Sequence, residues 1–234
     1  MTNVSNEKIF LILNIKAYIS FKVKSFISFV FNGHIFRNWN FSNYKKKHKV
    51  MKLHLGSTYN IDGFFNSQII GKNPINIANK LPFKNDLFEV IFSTHVIEHL
   101  HRREIIFFLK ESFRTLKPGG KNIILTPSLD KIIKILYIEN NIDLKSKILS
   151  RQKKWDKEFS INNSSYINGL FRNYGHRFII DFDFLKIESK KIGYSNIKVI
   201  KNNEIPDIET NNYIKKFKSD EGWNLETESY LLEK

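Results

Sequence analysis

From residue 50 onward, short apolar runs with a two-residue period alternate with stretches whose apolar positions recur every three or four residues. "VMKLHL" (50–55), "FFNSQII" (64–70), "FEVIFS" (88–93) and "KNIILTP" (121–127) predict strands, and "HRREIIFFLKESFRTL" (101–116) and "LDKIIKILYIEN" (129–140) predict helices. Strands alternating with helices predict an α/β fold, a mostly parallel sheet with helices on both faces. A helix around "DFLKIESKKIG" (183–193), with Gly193 suited to its C-terminal cap, precedes two closing strands, "SNIKVIK" (195–201) and "ESYLLEK" (228–234).

Residues 7–31 are the most apolar segment, but Asn14, Lys16, Lys22 and Lys24 interrupt it, which argues against a membrane span, and no small-residue cleavage site follows that would mark a signal peptide. Ile12, Ile15, Ile19, Val23, Phe26 and Val30 share one helical face, flanked by Lys16, Ser20, Lys24 and Ser28. The segment reads as an amphipathic helix that packs on the domain or makes peripheral contact with a membrane surface; the narrow polar face and missing Trp anchor favour packing. The expected division is an N-terminal helix and linker over 1–48 and one domain over 49–234.

Composition changes this picture little. The 234 residues, 41% hydrophobic and 14% aromatic, suffice for a sizeable core. With no cysteine there is no disulfide, thiolate-zinc site or thiol nucleophile, and a reducing cytoplasm is the compartment expected. The net charge of +15 raises nucleic acid as a partner. Most of that charge is scattered lysine, in a chain also rich in Ile, Asn and Phe, as an AT-rich genome would produce. Only "YKKKHK" at 44–49 clusters, and no nucleic-acid-binding motif accompanies it, so background composition is the preferred explanation.

Residues 81–137 carry the densest chemistry: "LPF", the Phe88–Glu89 pair opening a strand, "HVIEHL" directly after it, and "ESFRTLKPGG" before the next strand. Pro118 stops the helix, and Gly119 and Gly120 supply turn conformations. His95 and His99 have metal-ligand spacing on a helix, but no third ligand is indicated, so no metal is expected. Glu98 reads as the fixer of a backbone or histidine partner.

In order and spacing these motifs resemble class I S-adenosylmethionine-dependent methyltransferases of the type 11 group. The tail, with "SYINGLFRNYGHRFIIDFDFLKIESKKIGYSNIKVI" and "ETESYLLEK", is similar to a branch common among sugar and cell-surface-glycan methyltransferases. The resemblance covers roughly residues 50–234. It implies a Rossmann-like sheet with S-adenosylmethionine lying across the C-terminal strand ends. It also implies a cofactor site drawn from Gly56, Ser57, Thr58, Gln68, Asn76, Thr94 and His95. Ser57 and Thr58 replace the family's "CG", Gln68 stands where a ribose-binding Asp belongs, Asn76 lies near the place of an acid facing the adenine, and Glu89 replaces an Asp. For catalysis it implies His95 and His176, with His99 a weaker candidate, as base or acceptor-binding groups beside the methyl position.

The function expected is methyl transfer to a hydroxyl of a sugar or glycan intermediate, the acceptor being inferred from the resemblance alone. A catalytically inactive methyltransferase-like module and a nucleic-acid methyltransferase are the rivals. "VMKLHL" and "FEVIFS" should be adjacent strands, and the 56–63 loop is too short for a full helical crossover, so the first helix of the usual fold should be reduced or absent.

Overall fold

The computed structural model describes residues 35–56, 59–139, 141–155, 162–201, 204–219 and 226–234. The helix expected over 7–31 lies outside them, as do Ser57 and Thr58. The elements in chain order are α1 (Ile35–Lys47), β1 (Lys52–Leu55), β2 (Phe65–Ser67), β3 (Phe88–Thr94), α2 (Arg102–Thr115) and β4 (Leu116–Pro127). There follow α3 (Leu129–Ile133), widening into a π-type turn, α4 (Ile142–Trp155), α5 (Asn163–Arg172), α6 (Phe182–Ile192), β5 (Lys198–Ile200), α7 (Ile208–Ser219) and β6 (Thr227–Glu233). No helix among the described residues is long and apolar enough to cross a membrane.

The six strands form one sheet in the order β2-β1-β3-β4-β6-β5. β2, β1, β3 and β4 pair in parallel, and β6 lies antiparallel between β4 and β5. This is the Rossmann-like, mostly parallel sheet expected, with "VMKLHL" and "FEVIFS" side by side. Among the described residues, neither the β1–β2 connection nor the β2–β3 connection contains a helix.

The alternation in the strands sorts side chains to two faces. Leu53, Leu55, Ile91, Ile124, Tyr230 and Leu232 share one core cluster with residues of α1, α2 and α6. Val90, Phe92, Ile123, Leu125 and Leu231 face the other way, onto Phe64, Ile61 and Ile214 of α7. A fully buried side chain of this kind stabilises the fold by about 1.5–3 kcal/mol.

α1 falls within the stretch read from sequence as linker, and the first cluster shows what holds it. Phe41 lies 5.0 Å from Phe65 and 4.8 Å from Phe83 between ring centres. The Tyr44 hydroxyl accepts from Lys52 N at 2.9 Å and donates to the Gly63 carbonyl at 2.8 Å, joining α1 to β1 and to the loop after it. The lysine cluster has a local use too: Lys45, Lys46 and Lys47 form the last turn of α1, where cations favour the helix dipole.

The "LPF" and "ESFR" motifs turn out to be two halves of one clamp. Arg114 of α2 donates to the carbonyls of Phe83 (2.8 Å) and Leu81 (3.1 Å), and Glu111 accepts from Leu81 N (2.8 Å). The two side chains also pair with each other at 2.6 Å. That hydrogen bond from Arg114 holds the Glu111 carboxyl below the usual carboxylate range against the effect of burial. The clamp fixes the approach to β3. At the start of β3, Phe88 pairs with Leu116 but Val90 pairs with Lys121, so "KPGG" loops out of the ladder as an enlarged bulge. A Cβ on Gly120 would stand 2.8 Å from the Lys117 carbonyl, so only glycine fits there.

Candidate active site at the C-terminal strand edge

β3 delivers the chain to the C-terminal edge of the sheet and stops abruptly. His95, the next residue, has φ of +48°, a left-handed conformation that costs a non-glycine residue energy and that tends to persist where function requires it. Its backbone N–H donates to the Leu125 carbonyl at 2.9 Å, tying the turn to the neighbouring strand. A short 3-10 turn, Ile97–His99, follows. The α-helical spacing considered for His95 and His99 is therefore not the one the chain adopts. His95 precedes the turn and His99 ends it.

Glu98 is the centre of this turn. It is 1% exposed. One carboxylate oxygen lies 3.1 Å from His95 Nδ1 and the other accepts from the Thr126 hydroxyl of β4 at 3.1 Å. Its backbone carbonyl accepts from Arg177 N at 2.8 Å and Phe178 N at 3.3 Å. Burial pushes the Glu98 carboxyl up, but the hydrogen bond from His95 and the proximity of His95 and His99 outweigh it and hold the group below the usual range. The result is an ionised carboxylate with almost no contact with water.

The backbone bonds to Glu98 explain how the distant "YGHRF" stretch joins the site. They dock residues 177–178 against the turn, and His176 arrives beside His99 with 5.1 Å between ring centres. Tyr174 (φ +61°) and Gly175 (φ +76°) shape the bend, and a Cβ on Gly175 would stand 3.7 Å from His99 Nδ1. His176 Nδ1 lies 2.7 Å from the Leu170 carbonyl. A carbonyl only accepts, so Nδ1 carries the proton and Nε2 bears the lone pair. Burial lowers the His176 pKa and favours the neutral ring, against the nearby Glu98 charge, which raises it. Side-chain ligand atoms of Glu98, His99 and His176 lie within 4.8 Å of one another.

The remaining sequence-derived residues divide between the strand edge and the interior. Gly56 ends β1 with φ of +77°. A Cβ there would stand 1.9 Å from Val96 Cγ2 and 2.6 Å from the Thr94 carbonyl, so the β1 and β3 ends approach as closely as a glycine permits. Gln68 follows β2 and is exposed; its carbonyl accepts from Ile75 N at 2.9 Å. Asn76 is exposed and its Oδ1 accepts from Ala78 N at 3.0 Å, a local turn. Thr94 turns its hydroxyl to the buried His54 at 3.2 Å, away from the His95–Glu98 pair. Sequence reasoning did not single out Thr126 or His54; the first is a polar residue near the end of a buried strand, and the second a polar position inside an apolar run.

Gly56, Gln68 and His95 thus end three adjacent strands along one edge, the place where a nucleotide-type cofactor lies in such sheets. An exposed amide at the end of β2 can accept from a ribose hydroxyl, as a neutral acceptor where a charged one would bind more tightly.

Residues 72–124, from the β2–β3 connection through the histidine turn and α2 into β4, match the family model described as a methyltransferase domain. No curated protein matches the sequence. In structure the chain is similar to a SAM-dependent methyltransferase from Archaeoglobus fulgidus, at 13% identity over 85% of this chain and 91% of that one, with a TM-score of 0.45. It is also similar to phosphoethanolamine N-methyltransferase 2 of Haemonchus contortus in complex with S-adenosyl-L-methionine, at 12% identity and TM-score 0.40. That match covers 84% of this chain and 51% of the other, about half its length.

Proposed function

We propose that this chain is an S-adenosylmethionine-dependent methyltransferase that methylates a hydroxyl oxygen, on a sugar or glycan intermediate, with His95 as general base. The observation that carries the proposal is the His95–Glu98 pair at the end of β3. A buried carboxylate facing Nδ1 fixes that nitrogen as the proton-bearing one and leaves Nε2 as the basic one, the same logic by which an acid orients a histidine in hydrolytic triads.

The cofactor supplies an electrophilic methyl group on a sulfonium. What this chain contributes is alignment and a place for the acceptor's proton. Gly56 and Gln68 would hold the donor along the strand edge, His95 would take the acceptor hydroxyl's proton, and Glu98 would stabilise the resulting imidazolium. His176 and His99, across the turn, stand on the acceptor side. The sugar or glycan identity of the acceptor rests on the resemblance of the 165–234 tail.

His95→Ala tests this reading. Turnover on a hydroxyl acceptor should fall by roughly 10²–10⁴-fold with the affinity for S-adenosylhomocysteine nearly unchanged. Turnover that merely follows the folded fraction, read from the thermal midpoint, would remove His95 as the base.

A further inference from the structure

We propose that Glu98, His99 and His176 form a binding site for one divalent transition-metal ion of the zinc class. The proposal goes beyond methyl transfer and stands without it, since it concerns only what these three side chains can hold. From sequence, the pair His95 and His99 lacked a third ligand. The fold supplies a different set: His99 from the end of the 3-10 turn, Glu98 beside it, and His176 from a loop some 80 residues later.

Four features point to a metal rather than to a chance cluster. First, the donor set is two imidazoles and a carboxylate, which suits zinc, cobalt or nickel, and three protein ligands leave a position open for water or an acceptor oxygen. Second, His176 donates Nδ1–H to the Leu170 carbonyl at 2.7 Å, so Nε2 is free to ligate. A backbone carbonyl on the far nitrogen is the support metal-bound histidines ordinarily have. Third, the Glu98 side chain is held in place at 1% exposure, its two oxygens hydrogen-bonded by His95 and Thr126, and each oxygen retains a further lone pair for a cation. Fourth, the loop bearing His176 is docked on the Glu98 backbone through Arg177 N and Phe178 N, which fixes its distance from the ligating carboxylate.

The ligand atoms lie within 4.8 Å of one another, against about 3.3–3.6 Å for a tetrahedral ion with bonds near 2.0–2.2 Å. An adjustment of at most about 1.2–1.5 Å closes the site, and His99, exposed to solvent, is the ligand able to make it.

The test is a titration of the chelator-treated full chain with Co²⁺ alone, followed by visible absorption and by calorimetry, then competition with Zn²⁺. One Co²⁺ per chain is expected, with the intense visible bands of a four-coordinate site, lost on adding Zn²⁺. His99→Ala, at an exposed position, should keep the metal-free thermal midpoint and weaken Co²⁺ binding about 100-fold or more; His176→Ala should do the same to binding. His101→Ala, a neighbouring exposed histidine outside the set, should bind as the parent does. Absence of saturable binding up to about millimolar Co²⁺ would overturn the proposal. So would a site that survives both His99→Ala and His176→Ala, or one that His101→Ala abolishes.

Discussion

His54 gives this fold a pH dependence whose size follows from its surroundings. The imidazole is 0% exposed and stacks on Phe92 with 5.1 Å between ring centres. Nδ1 lies 3.1 Å from Asn66 Oδ1 and Nε2 3.2 Å from the Thr94 hydroxyl. Asn66 is locked in orientation, because its Oδ1 accepts from Ile61 N and its amide nitrogen donates to the Ile61 and Phe64 carbonyls. Nδ1 therefore donates to Asn66 and Nε2 accepts from Thr94, and a neutral ring satisfies both. The titratable groups on this side are Tyr213, 5.2 Å away between ring centres, and Lys52 two residues along β1, itself held by Asp207 and Glu209. Burial pushes the His54 pKa down from 6.5 to about 4, opposed by the hydrogen bond with Asn66.

Between those two values the unfolded chain binds a proton that the folded chain refuses. The stability from His54 is thus complete above pH 6.5 and is lost as pH falls towards 4, at about 1.4 kcal/mol per pH unit and about 3 kcal/mol in all. Denaturant unfolding of the parent and of His54→Leu, at a series of pH values, isolates this contribution, because groups common to both chains cancel. The parent should lose about 2 kcal/mol more than the variant between pH 7 and pH 5. Parallel pH profiles for the two chains would show that the ring titrates normally in the folded state and would refute the reasoning.

Two other substitutions probe the strand edge and its support. Gln68→Asp restores a charged acceptor beside Gly56 and should tighten S-adenosylhomocysteine binding about tenfold by calorimetry; unchanged affinity would place the ribose elsewhere, and no binding by either chain at about millimolar ligand would favour an inactive module. Arg114→Ala removes the clamp on Leu81 and Phe83 and strands the Glu111 carboxylate, which should lower the unfolding free energy by about 2–3 kcal/mol in denaturant. A loss below about 0.5 kcal/mol would mean that the loop holds its place through Phe83 packing alone.

The sheet was legible because its signal is periodic. A two-residue alternation in "FEVIFS" and "KNIILTP" sends Val90, Phe92, Ile123 and Leu125 to one face and Ile91 and Ile124 to the other, whatever the connections between them do. α1 was not legible for the opposite reason. "IFRNWNFSNYKKK" has only scattered apolar positions, and its place depends on Phe41 meeting Phe65 and Phe83 from later in the chain. The site shows the same division. His95 and His176 were implied by the resemblance of their motifs, but what relates them is Glu98, and its roles depend on a 3-10 turn, on Thr126 from another strand and on two backbone N–H groups from residues 177–178. Helical spacing paired His99 with His95; the fold pairs it with His176. Spacing can propose which residues meet only within one element. Where a site is assembled from a strand end, a turn and a returning loop, its ligand set becomes visible only once the backbone bonds that dock the loop are known, and here those bonds converge on the carbonyl of the same glutamate whose carboxylate faces His95.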